Sequence, residues 1–315
     1  MTSGAARTDA PRPIRGALFL VLATLFWSGA AVFAKFLFLG DKFDTVILSQ
    51  TRTSISFLML TAWFLFYDRT IFRVQPKDLF RLALIGCVGI GVTNFSYYYT
   101  VQASTVATAI LIQYTAPAFV TLYGMAIVRQ EEPEPIKLIS LAVALGGCYV
   151  AVTGFEAGVV KISGTILFSG LCSSLGFAFL LIESKRMLER YSNWTMLLYA
   201  FGFTAAGWLF INSPRAIAAR GYGASDWGTL VLFATVSVLI PYICLSYGLK
   251  ELSATPVAIT MTLEPVLAIL FAYIILGEHL SAVQTAGACA VMGAVLLLQI
   301  NPRSLGSRER MQRAD

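Results

Sequence analysis

The residue with the clearest chemical potential is a glutamate inside an apolar segment, Glu264, which directly precedes Pro265. Proline has no backbone N–H, so the helical carbonyl four residues earlier, here that of Met261, loses its partner. A carboxylate beside such a break could bind an ammonium group or carry a proton. The alternative is a protonated glutamic acid that bonds the freed carbonyl and has only a structural role.

A second proline inside an apolar segment, Pro117, stands 148 residues before Pro265 and frees the carbonyl of Gln113 in the same way. The residue before it is Ala116, so the carboxylate is not repeated. Interrupted helices at matched positions in two halves of a chain are the best sequence indication of a transporter's binding site. We therefore predict a substrate site where two such breaks meet.

Polar and aromatic residues lie at the same depth of the neighbouring apolar segments. Together they offer donors for a carboxylate, acceptors for an ammonium group and an apolar wall, which suits an amino acid. Tyrosine is also common where helices leave the membrane, so each tyrosine alone has a structural explanation. The predicted binding residues are Trp27, Ser28, Asn94, Tyr98, Tyr99, Gln113, Tyr114, Tyr242, Ser246, Tyr247 and Glu264, with Pro117 and Pro265 as helix breaks.

Three further charged residues lie within apolar segments, where a charge costs about 2.5–3.5 kcal/mol on insertion scales. Lys35 and Glu183 are near segment ends and can extend their charged groups to water, so a structural role is favoured for both. Arg52 lies about 12 Å into its segment at 1.5 Å per residue. Its guanidinium could bind a substrate carboxylate or cap the carbonyls of a neighbouring helix.

The scaffold that positions these residues is predicted from composition. Of 315 residues, 57% are hydrophobic and 13% are charged, whereas a soluble domain has about 25% charged residues. A helix needs about 20 apolar residues to cross the hydrocarbon core. Ten such segments are predicted, at about 16–39, 44–67, 79–101, 105–128, 136–154, 162–183, 193–211, 227–249, 255–276 and 281–300.

The basic residues in the connections predict the orientation of these segments. Seventeen lie on one side together with both tails, residues 1–15 and 301–315, and four lie on the other side. Because Lys and Arg accumulate on the cytoplasmic side, both termini are predicted to be cytoplasmic. This distribution also explains the net charge of +6 without a nucleic-acid partner. The four residues on the outer side are Lys42, Lys161, Arg215 and Arg220.

An internal repeat divides the chain into two parts, 16–154 and 162–300. Five segments per part is an odd number, so the second part must enter the membrane in the opposite orientation. We predict an all-α membrane protein with ten transmembrane helices in two inverted five-helix repeats (5+5), and a site near the midplane. A shift of 148 residues superimposes Gly16 on Gly164, Tyr99 on Tyr247, and Pro117 on Pro265.

The features described so far, taken in their order along the chain, resemble the drug/metabolite transporter superfamily in its ten-helix EamA-type branch. The likeness covers about 16–300 and extends most closely to bacterial inner-membrane exporters of amino acids, aromatic ones included. The residues that carry it are Trp27, Lys35, Arg52, Leu263-Glu264-Pro265 and Gly277-Glu278, with a glycine-rich last segment in each half.

The resemblance implies export of amino acids across the inner membrane by alternating access around a central cavity. That cavity is formed by the first, third, fourth, sixth, eighth and ninth segments. Because the second segment lies outside it, the structural role is favoured for Arg52. Leu175 stands where Trp27 would repeat, so the two halves need not contribute equally.

Other classes of protein are disfavoured by what the sequence lacks. It has no H-E-x-x-H or G-x-S-x-G motif and no phosphate-binding loop, and its one histidine is His279. We therefore predict no enzyme, no cofactor, no metal and no obligatory protein partner. The predicted partners are the lipid bilayer and a small-molecule substrate. An exporter of other metabolites or drugs is the alternative within transport, and a channel or receptor is the alternative from another class.

Overall fold

The computed structural model describes residues 13–39, 42–104, 106–128, 135–156, 163–276 and 281–300, which form helices and contain no strand. The helices are α1 (Pro13–Leu39), α2 (Thr45–Tyr67), α3 (Pro76–Ala103), α4 (Val106–Gln113), α5 (Ala116–Leu122), α6 (Pro135–Thr153), α7 (Gly164–Leu188), α8 (Asn193–Ile211), α9 (Pro214–Ala218), α10 (Ala224–Glu251), α11 (Ala254–Met261), α12 (Leu263–Leu276) and α13 (Ala282–Ile300). A short 3₁₀ helix, Arg69–Phe72, follows α2.

Six of the described helices are long and apolar enough to cross a membrane: α1, α3, α6, α7, α8 and α10. The other predicted segments also coincide with helical backbone, namely α2, the pair α4 and α5, the pair α11 and α12, and α13. The all-helical class with apolar spans is confirmed. The ten crossings in two inverted repeats stay a prediction.

Helix starts follow from local capping. The carboxylate of Asp44 accepts a hydrogen bond from the Ile47 amide at 2.8 Å where α2 begins. The hydroxyl of Ser192 accepts one from the Thr195 amide at 3.1 Å where α8 begins. Both side chains satisfy amides that have no partner within the helix. Helix α3 begins at Pro76, whose missing N–H is not needed in a first turn.

Large apolar side chains remain exposed along the helices. Phe66 near the end of α2 is 91% exposed, and Phe210 near the end of α8 is 92% exposed. Soluble monomers rarely expose contiguous apolar surface on this scale. These side chains suit a lipid environment, in which exposed phenyl rings remain in contact with hydrocarbon.

The two halves of the chain interlock. Helix α1 packs against α10 and α12, and α3 packs against α7 and α8. The last helices of the halves, α6 and α13, lie against each other. Glycine permits this last approach, because a Cβ on Gly147 would lie 2.9 Å from the Gly287 carbonyl oxygen.

Two of the ion pairs that connect the halves share the register of the repeat. Lys42 Nζ lies 2.6 Å from Asp226 Oδ1, and Arg190 Nη1 lies 3.0 Å from Asp78 Oδ1. Each basic residue follows the first long helix of its half, and each aspartate lies in the first turn of a long helix of the other half. Equivalent members of the pairs are 148 residues apart, which is the register of the repeat. The basic side chains are about half exposed, so each pair contributes about 0–1 kcal/mol.

These two pairs lie at opposite ends of the helix bundle. The start of α1 lies at the end of α10, since a Cβ on Gly16 would be 2.7 Å from Glu251 Cβ. Lys185, near the end of α7, donates to the Leu249 carbonyl of α10 at 2.6 Å. The end of α7 therefore lies beside the start of α1, whereas Lys42 follows the end of α1.

Candidate substrate-binding cavity

A cavity of about 500 Å³ lies among α1, α2, α3, α7, α10 and the two helix interruptions. Its size is typical of a small-molecule site. Seventeen of its twenty-one lining residues belong to the first half of the chain, and four belong to the second half: Phe177, Ser237, Tyr242 and Glu264. The halves therefore contribute unequally to it.

The backbone is interrupted beside both prolines. Helix α4 ends at Gln113 and α5 begins at Ala116, while α11 ends at Met261 and α12 begins at Leu263. The interruptions face each other, because the Tyr114 hydroxyl of the first donates to Glu264 Oε2 of the second at 2.5 Å. The two helix interruptions thus place a phenol and a carboxyl group at the cavity.

Two π-helical turns supply backbone acceptors beside the cavity. Such turns often mark functional sites. One turn, Ile85–Val92, lies within α3, and the Asn94 amide donates to its Ile90 carbonyl at 2.7 Å. Another turn, Thr235–Leu239, lies within α10, and Trp27 Nε1 donates to its Ser237 carbonyl at 3.0 Å.

Trp27 and Tyr242 form the aromatic part of the wall. Their ring centroids are 5.3 Å apart in an edge-to-face arrangement, and Phe177 approaches Trp27 at 6.4 Å. Edge-to-face pairs are favoured by the ring quadrupoles. The wall is therefore apolar and held in one orientation by the indole hydrogen bond.

Seven of the eleven predicted binding residues line this cavity, and four do not. The lining residues are Trp27, Asn94, Tyr98, Gln113, Tyr114, Tyr242 and Glu264. The residues that lie outside it are Ser28, Tyr99, Ser246 and Tyr247.

Ser28 is fully buried between helices and does not reach the cavity. Its hydroxyl lies 2.6 Å from the Thr24 carbonyl oxygen and 2.9 Å from the Glu264 carbonyl oxygen, and it shares its one proton between these two acceptors. It fixes the backbone of the second break, so its role is to position Glu264. The structure places Ser28 outside the cavity lining, and its predicted binding role stays a prediction.

Of the other three residues, Tyr99 points away because successive helical residues face directions about 100° apart. Tyr99 is 38% exposed and stacks on Phe95, although its neighbour Tyr98 is buried at the cavity. The remaining two serve interfaces beyond the cavity. Ser246 accepts a hydrogen bond from Asn193 at 3.0 Å, and Tyr247 stacks on Phe19 at 5.0 Å.

Arg52 lines the cavity, which corrects the expectation that its helix lies outside it. Its guanidinium donates to the Tyr98 hydroxyl at 2.6 Å and to Asn94 Oδ1 at 2.5 Å. Asn94 donates in turn to the Tyr242 hydroxyl at 3.3 Å. The depth of Arg52 in its segment was the signal for this position. Sequence reasoning also missed Tyr97, which lines the cavity as well.

Of the other intramembrane charges, Glu183 fits the structural role. It accepts a hydrogen bond from Arg186 Nη1 at 2.5 Å, and Arg186 also bonds the Tyr123 hydroxyl at 2.8 Å. The side chain of Lys35 lies outside the described residues, as do Glu278 and His279.

An apolar helical bundle with a central cavity between two interrupted helices is the architecture of membrane transporters. The profile of the EamA-like transporter family matches residues 14–153 and again residues 164–300. The chain therefore belongs to the EamA-like transporter family, which places it in the predicted superfamily of multi-pass membrane transporters of small molecules.

Similar proteins include three bacterial transporters. The threonine/homoserine exporter RhtA of Salmonella typhimurium is 25% identical over 263 residues, 81% of this chain and 83% of RhtA. A probable biotin transporter of Pseudomonas aeruginosa is 24% identical over 283 residues, 85% and 90% of the two chains. The inner membrane transporter YicL of Salmonella typhimurium is 22% identical over 295 residues, 92% and 96%.

One solved crystal structure superimposes on this chain with a TM-score of 0.74. It covers 93% of this chain and 99% of its own, at 18% sequence identity. At this identity the likeness shows the fold alone. The predicted likeness to one aromatic amino acid exporter, YddG, stays a prediction.

Proposed function

We propose that this protein is a secondary transporter that exports amino acids, aromatic and other neutral ones included, across the inner membrane. The observation that carries this proposal is the cavity itself. It combines the buried guanidinium of Arg52, the carboxyl of Glu264 and the aromatic wall around Trp27. An amino acid presents a carboxylate, an ammonium group and a side chain, which these three features complement.

The proposed architecture is ten helices in two inverted repeats that give alternating access to the cavity. Three observations support it: helix breaks at matched prolines, π-helical turns in α3 and α10, and ion pairs of one register at opposite ends. The basic residues favour cytoplasmic termini. The test is a fusion after Asn301 to a reporter that works only outside the cytoplasm. Activity of this fusion would contradict the orientation.

The names of the relatives support a small organic substrate and leave two candidates. RhtA is an exporter of threonine and homoserine, whereas the Pseudomonas protein is named as a probable biotin transporter. Export of another small metabolite is therefore the second candidate. Threonine, homoserine and biotin all carry a carboxylate.

The experiment that tests the proposal is counterflow in liposomes that contain only this protein. Liposomes preloaded with an unlabelled neutral amino acid should accumulate the labelled form without added nucleotide. Biotin is measured in parallel, and liposomes without protein are the control. Strict dependence on ATP would contradict a secondary transporter. Counterflow of biotin without counterflow of any amino acid would contradict the proposed substrate.

A further inference from the structure

Arg52 carries a buried charge whose hydrogen-bond partners are neutral. The residue is 3% exposed, and its guanidinium bonds the Tyr98 hydroxyl and the Asn94 carbonyl oxygen. The guanidinium carbon also lies 4.7 Å from the centre of the Tyr98 ring. Its Nε has no hydrogen-bond partner among the described residues.

The two acidic side chains that line the same cavity are engaged elsewhere. Asp44 bonds Arg220 Nη2 at 2.9 Å, and Glu264 bonds the Tyr114 hydroxyl at 2.5 Å. No acidic side chain in the described part of the chain forms an ion pair with Arg52. A buried charge without a counter-ion is costly, so the site is incomplete without an anion.

The chemistry of the guanidinium selects the kind of anion. Its planar fork of five N–H donors matches two carboxylate oxygens at once. Tyr98 and Asn94 each accept from one terminal nitrogen and hold the fork in place, which leaves one further N–H on each of Nη1 and Nη2. Glu264 lines the same cavity but bonds Tyr114, so it does not contact Arg52 as a counter-ion.

We propose that Arg52 is the carboxylate-binding residue of the cavity, and that a free carboxylate is what the transporter requires of its ligands. This inference rests on the proposed function and deepens it, because it names the recognised group. An amino acid amide has nearly the same size and keeps the ammonium group but lacks the anion. It should therefore bind much more weakly than the acid.

The test compares matched ligand pairs on purified protein. The probes are threonine with threonine amide, phenylalanine with phenylalanine amide, and biotin with biotin amide. Ligand-dependent protection against thermal unfolding gives the affinity. The wild type should favour the acid by about tenfold or more, which is the scale of a charge-assisted hydrogen bond.

Substitutions at Arg52 then assign the preference to this residue. In Arg52→Gln the acid should lose its advantage, so that acid and amide bind within about twofold of each other, while amide binding is kept. Arg52→Lys retains the charge without the fork and should show an intermediate ratio. The matched control is Arg81→Gln at an exposed arginine, which should keep the wild-type ratio.

The outcomes separate the inference from the proposed function. Equal binding of acid and amide by the wild type overturns the inference even if Arg52→Gln does not fold. An unchanged acid preference in folded Arg52→Gln also overturns it and leaves Arg52 as a structural residue. Acid preference for biotin alone supports the inference and contradicts the amino acid substrate. Binding of no carboxylate in the panel overturns the inference.

Discussion

The two helix breaks that meet at the cavity share a backbone design and differ in their side chains. In the first, the Thr115 hydroxyl donates to the carbonyl of Ile112, three residues earlier, at 2.7 Å. In the second, the Thr262 hydroxyl donates to the carbonyl of Ile259, also three residues earlier, at 2.6 Å. Each break therefore satisfies a carbonyl with a local threonine.

The side chains before the prolines follow different patterns. Ala116 is completely buried and contributes only to packing, whereas Glu264 reaches the cavity. The first break contributes Tyr114 instead, whose hydroxyl bonds that carboxyl. The two breaks are thus similar in backbone, but the first supplies a hydrogen-bond donor, Tyr114, and the second supplies an acidic group, Glu264.

Each break is also fixed by the first helix of the other half. Ser28 of α1 donates to the backbone carbonyl of Glu264 at 2.9 Å. Ser174 of α7 and Thr115 share a hydrogen bond of 2.8 Å. Movement of α1 or α7 would therefore be transmitted to the break in the opposite half, which links the two halves at the cavity.

The largest effect on transport is expected when the second helix break loses the ionisable group of Glu264. Glu264→Gln preserves volume and hydrogen bonding but cannot ionise. If Glu264 binds the ammonium group or carries a proton, initial uptake should fall by about tenfold or more. The measurement is the initial rate against pH in liposomes, normalised to folded protein. The wild-type rate should vary with pH, and the residual rate of the variant should vary less.

The matched control is Glu189→Gln, which changes an exposed glutamate in the same way. It should keep the wild-type rate and pH profile. Equal rates and profiles for wild type and Glu264→Gln would contradict a titrating role. Glu264 would then be a protonated structural residue, and both breaks would serve only as scaffold.

A smaller effect is expected when the first break loses its donor. Tyr114→Phe keeps the ring and removes the hydroxyl that bonds Glu264. The loss of one hydrogen bond of about 0.5–1.5 kcal/mol should lower the uptake rate by about two- to tenfold. Tyr149→Phe, at an exposed tyrosine of α6, should leave uptake unchanged. An unchanged rate in Tyr114→Phe would show that the two breaks act independently.

The parts of this comparison that sequence could predict are those with a local cause. Apolar length defined the helical segments, and the missing N–H of Pro117 and Pro265 defined where they are interrupted. Which side chains face the cavity depends on which helices pack against each other. These mostly apolar segments have no polar/apolar periodicity that would indicate the face of each helix that points to the cavity. Both Tyr98 and Tyr99 were therefore predicted as binding residues, although only Tyr98 reaches the cavity.

Arg52 illustrates the same limit from the other direction. Its depth indicated a residue that needs a partner, but the partner groups on α3 come from about 40 positions further along the chain. Their contact depends on how α2 packs beside α3, which hydropathy does not encode. A long-range contact of this kind becomes visible only in the folded molecule.

The smallest effect on transport is expected from the residue that positions the second break. Ser28→Ala removes the donor to the Glu264 carbonyl and leaves that buried acceptor without its partner, which costs about 1–3 kcal/mol. The cost should appear in stability, as a lower melting temperature of the purified protein. Uptake per folded molecule should stay within about twofold of wild type, because the carboxyl group and its Tyr114 donor remain. A large loss of uptake with an unchanged melting temperature would instead make Ser28 a substrate-binding residue, as its sequence position first predicted.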